Sequence, residues 1–111
     1  MILSEKKREE LVNIGGEKFF LDLLDQFHQQ SLTILSDLTT AIEHGQTEKA
    51  RGLLHKLKGS CLTMGAEDLA TTVIELYQGV STGKTLTAAD VGSIRAALDT
   101  FQQHKDSLRP R

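Results

Sequence analysis

Apolar residues recur along most of this chain at intervals of three and four, the spacing of one face of an α-helix, and no stretch alternates long enough to predict a strand. Ser4 reads as an N-cap for a short helix over Glu5 to Val12, with Leu11 and Val12 as its apolar side. Gly15-Gly16 is expected to break it. A long periodic segment follows from about Glu17 to Glu43. Its inner face is Phe20, Leu24, Phe27, Ser31, Leu35, Leu38 and Ile42, widened by Phe19, Leu23 and Ile34. At about 1.5 Å per residue this segment would run some 40 Å.

His44-Gly45-Gln46 predicts a reversal, with Thr47 as the cap of the next helix. That helix carries the stripe Ala50, Leu54, Leu57, Cys61 and Met64, with Leu53 beside it, and should stop at Gly65 in the left-handed conformation. Ala66 to Gln78 forms a further helix facing inward through Leu69, Val73, Leu76 and Tyr77, and Gly79 is expected to end it. Ser81 to Thr85 is a polar loop. Thr87-x-x-Asp90 then resembles a capping box, and Val91, Ile94, Leu98, Phe101 and Leu108 mark a last helix that frays from about 106 towards Pro110. Short connections between long amphipathic helices predict an all-α fold, an antiparallel up-down-up-down four-helix bundle with a short leading N-terminal helix. Residues 1–111 read as one domain, a monomer whose core closes without a partner.

The chemistry concentrates on the face of the third helix that points away from its apolar stripe. At roughly 100° per residue His55 lies nearly opposite that stripe. Its neighbours one turn away are Arg51, Gly52, Lys58 and Gly59, with Leu62 two turns on. Each glycine costs a helix about 1 kcal/mol relative to alanine, and neither stands at an end. The simplest gain is close approach of another molecule to the imidazole. Lys58 and Arg51 can reach an anion held over the ring. An imidazole in water is mostly neutral, and so nucleophilic, around pH 7. A nucleophile, anion-binding cations and an open approach together fit phosphoryl transfer.

His55-x-Leu57-Lys58-Gly59-Ser60, followed by Leu62 and Gly65-Ala66, resembles the signature of histidine-containing phosphotransfer (HPt) domains. Upstream, Leu11-x-x-x-Gly15-Gly16-Glu17-x-Phe19 and Leu24-x-x-Phe27 extend the resemblance to the HPt domains at the C-termini of hybrid sensor kinases. It implies that His55 accepts a phosphoryl group from the aspartyl phosphate of a receiver domain and passes it to a response-regulator aspartate. No kinase activity of its own is implied, and magnesium would belong to the receiver. Lys58, and after it Arg51, would offset the charge on phosphohistidine. Gly59, Gly52 and Ser60 would leave room for the receiver. Leu11, Ile14, Phe20, Phe27 and Leu62 are candidates for its apolar docking surface, with the leading helix beside it and one aromatic at most exposed. Where many HPt domains carry glutamate or glutamine on the fourth helix, this chain has Tyr77, whose hydroxyl is a candidate partner for His55.

Composition narrows the alternatives. A net charge of −2 argues against a nucleic-acid binder, and one cysteine on an apolar stripe suggests packing. Neither a signal peptide nor an apolar run of about 18 residues is present, so no membrane insertion is expected. The expected location is cytoplasmic, free or at the cytoplasmic end of a membrane-bound sensor kinase. Gly79-x-x-x-Gly83-Lys84-Thr85 is one residue short of a phosphate-binding loop and follows a helix. Asp25-x-x-His28 is a single carboxylate–histidine pair, too little for a di-metal bundle, so no metal is expected and His28 reads as a surface or boundary residue. His44 and His104 fall near helix C-termini, and Lys6 to Glu10 reads as solvated surface. Two other functions stay open: a helical interaction module that carries no phosphate, and an autokinase phosphoacceptor domain. The latter class usually places an acid after the histidine and a proline soon behind, where this chain has Lys56 and Gly59-Ser60.

Overall fold

The computed structural model describes residues 1–108. Four helices appear in order: α1 (Glu5–Glu43), α2 (Thr47–Met64), α3 (Glu67–Ser81) and α4 (Ala88–Ser107). Each packs against two others, α1 on α2 and α4, and α3 on α2 and α4, which closes the square of an up-down-up-down bundle.

The leading helix is present as an arm of α1, set off from the long helix at the glycine pair where the break was expected. It runs to residue 15 and continues into the long helix through Gly16, whose φ of 91° and ψ of 175° lie in a region essentially reserved for glycine. A straight helix of 39 residues would extend about 58 Å. The molecule is 43 Å in its longest dimension, so the kink must turn the leading arm (residues 5–15) back. That arm is tied to the turn between α2 and α3. Ser4 N–H donates to the Gly65 carbonyl at 2.7 Å, and the Ser4 hydroxyl caps the arm by accepting from Lys7 N–H at 3.2 Å. The Lys6 to Glu10 run is more than solvated surface, because Arg8 bridges the kink. Its guanidinium pairs with Glu17 at 3.2 Å and lies over the Phe20 ring.

Local signals placed the other boundaries with two exceptions. Gly65 ends α2 in the left-handed conformation at φ 73°, and the capping box at Thr87 and Asp90 has both reciprocal bonds. Thr47 does not cap α2; it is the first helical residue, and Gln46 precedes it with no side-chain cap. Nor does Gly79 end α3. The helix runs on to Ser81 because Val80 is buried, which holds the last turn against the core. The Gly79 carbonyl accepts from Thr82 and Lys84 to close the turn, so this glycine-rich stretch offers no cradle of N–H donors. The last helix runs through Ser107; Pro110 lies outside the described residues.

One core joins all four helices and takes Leu3 from the leading segment. Phe27 of α1 meets Phe101 of α4 edge to face at 5.2 Å. Ala41 is buried where Ile42 was expected and Ile42 is only partly so, a small rotation of the last turns of α1. Cys61 is fully buried, and desolvation pushes its thiol up to about 12, which fits a packing role. No helix among the described residues is long and apolar enough to cross a membrane.

Candidate functional site

The apolar stripe of α2 turns Leu54, Leu57 and Cys61 into the core and leaves His55 exposed on the opposite face. The imidazole stands on a ridge between two recesses. Towards α1 lies a groove of about 480 Å³ lined by Leu23, Gln26, Gln30, Gly59, Ser60 and Thr63. Towards α3 lies a smaller recess of about 210 Å³ lined by Glu48, Arg51, Gly52 and Tyr77.

Gly52 and Gly59 are both exposed, and a β-carbon at either would meet no atom within 4 Å. The fold therefore has no need of glycine at these positions. Gly92 in α4 is equally open. What sets Gly52 and Gly59 apart is the imidazole between them.

The two cations differ. Arg51 is engaged on its own helix by Glu48 at 2.6 Å, an i,i+3 pair legible in the sequence as Glu48-x-x-Arg51 and missed there. Lys58 has no carboxylate within ion-pair distance among the described residues; its ammonium lies 4.8 Å from the centre of the Tyr77 ring. The Tyr77 ring also flanks the imidazole, with centroids 5.5 Å apart and planes tilted by 45°. Tyr77 thus meets His55 through its ring, and no hydrogen bond joins its hydroxyl to the imidazole among the described residues.

Of the docking candidates, Ile14 and Leu62 are well exposed and Leu11 is partly buried against the core. Phe20 and Phe27 are a correction: at 0% and 3% exposure they are core residues, because the inner face of α1 turns both into the bundle. Phe19, at 37%, is the aromatic of α1 that reaches solvent. The start of the leading arm is fixed at the α2–α3 turn, where Ser4 N–H bonds the Gly65 carbonyl, and Lys7 shares a recess with Cys61 and Leu62. Gln26 and Gln30, which line the groove from α1, were missed; as polar residues four apart at the edge of an apolar face they left only a weak signal.

The other histidines lack this setting. His44 donates from Nδ1 to the Thr40 carbonyl at 2.8 Å, at the end of α1. His28, expected at the surface or at the boundary of the core, is buried at 6% exposure between α1 and α4. Asp25, one turn before it, binds Lys105 at 2.8 Å. Among the described residues no group of three or more His, Cys, Asp or Glu could hold a metal ion.

A four-helix bundle that displays one histidine on an open, cationic helix face has the architecture of a phosphoryl carrier. The family model for the Hpt domain matches residues 22–104, and the chain belongs to that family. It is a phosphotransfer intermediate of two-component signalling. The chain is similar to the crystal structure of histidine-containing phosphotransfer protein B (HptB) from Pseudomonas aeruginosa PAO1, with 25% identity over 97% of each chain and a TM-score of 0.82. No curated protein matches it.

Proposed function

We propose that His55 is the residue that carries the phosphoryl group, taking it from the phosphoaspartate of a receiver domain and giving it to a receiver aspartate. The observation that carries this reading is the exposed imidazole between two helical glycines that the fold itself does not require. The lone pair of the unprotonated ring nitrogen attacks phosphorus. An N–P bond forms as the P–O bond to aspartate breaks, and the carboxylate leaves with the bonding electrons. The ring then sheds its remaining N–H proton to water, or keeps it until the reverse step. Magnesium, held by the receiver, would stabilise charge on the transferring group. This chain supplies a positioned nucleophile, the Lys58 ammonium as counter-charge, and the space above Gly59.

Incubation with a phosphorylated receiver tests the reading. Acid-labile phosphate should appear on the wild-type protein and be absent from His55→Gln. Phosphate that survives His55→Gln but is lost on replacing His28, His44 or His104 would falsify it.

A further inference from the structure

Nothing in the reaction itself calls for an aromatic ring at the position of Tyr77. The ring is half-buried on α3, with the Lys58 ammonium 4.8 Å from its centre and the His55 imidazole 5.5 Å away. We propose that Tyr77 is a positioning residue that acts through the face of its ring, holding the Lys58 ammonium beside His55 without neutralising it. The proposal rests on the reading of His55 as the phosphoryl acceptor.

The physical case is a comparison of two ways to fix a lysine. A free lysine side chain samples many rotamers, and ordering it for an incoming anion has an entropic cost. A carboxylate would order it but would occupy its donors and repel the phosphoryl oxygens. Arg51 shows that arrangement one turn away, with its guanidinium held by Glu48 at 2.6 Å. The face of an aromatic ring attracts a cation through its quadrupole, within about 6 Å of the centroid, and carries no net charge. An ammonium resting there keeps its full charge and N–H donors that can turn to a phosphoryl oxygen. Because the ring also touches the imidazole, one side chain sets the spacing between nucleophile and counter-charge. The hydroxyl has no part in this, so phenylalanine should serve and an aliphatic residue should not.

The test uses the whole chain, a phosphorylated receiver, and the variants Tyr77→Phe, Tyr77→Leu, Lys58→Ala and the double variant Tyr77→Leu/Lys58→Ala. Tyr77→Met replaces Tyr77→Leu if leucine disturbs folding. Transfer rate and phosphohistidine lifetime are measured, together with the ring-current shift of the Lys58 ε-methylene protons by NMR. Tyr77→Phe should keep most of the rate and the upfield shift. Tyr77→Leu should lose the shift and slow transfer roughly fivefold to tenfold. The double variant should be no slower than Lys58→Ala alone. A Tyr77→Phe as slow as Tyr77→Leu would assign the role to the hydroxyl and overturn the proposal. So would losses that multiply in the double variant, or a Tyr77→Leu with wild-type kinetics. A wild-type protein that takes no phosphate on His55 would overturn the underlying reading while leaving the ring-current shift in place, which tells the two failures apart.

Discussion

The Lys105 ammonium lies 2.8 Å from the Asp25 carboxylate, 80 residues earlier in the chain, and joins α4 to α1. The lysine side chain is 8% exposed and the aspartate 43%, with Asp106 a second partner at 3.6 Å. Removing Asp25 leaves a buried cation with one longer contact. Asp25→Ala is expected to lower the unfolding free energy by about 1–3 kcal/mol in urea titrations. Lys105→Met should be close to neutral, because it removes the buried charge and leaves a carboxylate that already reaches water. Equal losses in both variants would show that the pair itself, not the desolvated ammonium, governs stability here.

His28 makes stability depend on pH. Burial, and then the Lys105 ammonium, lower its affinity for a proton below that of an ordinary imidazole at 6.5. Asp106, Gln102 and Asp99 act in the opposite sense without prevailing. The unfolded chain therefore binds more protons, and stability rises with pH. The His28 contribution is fully present above 6.5 and is lost as pH falls through the lower folded-state value. Between about pH 7.5 and about pH 5 the wild-type protein should lose more stability than His28→Gln. Parallel curves for the two proteins would remove His28 as the cause.

Two glycines on one helix should respond oppositely to substitution. At Gly65 a β-carbon would sit 2.7 Å from the Lys7 β-carbon and 3.0 Å from that of Ser4, on a backbone at φ 73°. Gly65→Ala should cost about 1–2 kcal/mol from the left-handed backbone alone, and more from loosening the leading arm. Gly59→Leu places its β-carbon in open space. It should leave the thermal midpoint level or raised, since glycine is the poorer helix former, while slowing transfer roughly tenfold or more. A Gly59→Leu protein with an unaltered rate would end the idea that the receiver needs that space.

The cations near His55 should separate as well. Lys58→Ala is expected to slow transfer by about ten- to a hundredfold and to shorten the phosphohistidine lifetime, with Lys58→Arg recovering much of both. Arg51→Ala should change either quantity by no more than about threefold, because Glu48 already competes for its guanidinium. Larger losses at Arg51 than at Lys58 would reverse the assignment of the counter-charge.

What the sequence determined is what one or two turns of backbone determine. Helical periodicity located the apolar stripes, Ser4 and the Thr87–Asp90 pair marked helix starts, the Gly15-Gly16 pair marked a break, and Gly65 marked a left-handed helix end. The same reasoning put His55 opposite the stripe of α2 with Gly52, Gly59 and Lys58 around it, since neighbours one turn apart are fixed by helix geometry. Only the tertiary structure decided how far each helix is rotated and slid against the next. That choice leaves Phe19 in solvent, takes His28 out of water, and brings Lys105 to Asp25. It also lays Tyr77 of α3 against Lys58 and His55 of α2. Periodicity within one helix gives the direction of a stripe to within about one residue, or roughly 100° of rotation. A residue at the stripe's edge is therefore assigned to core, surface or a neighbour's side chain only when the helices pack.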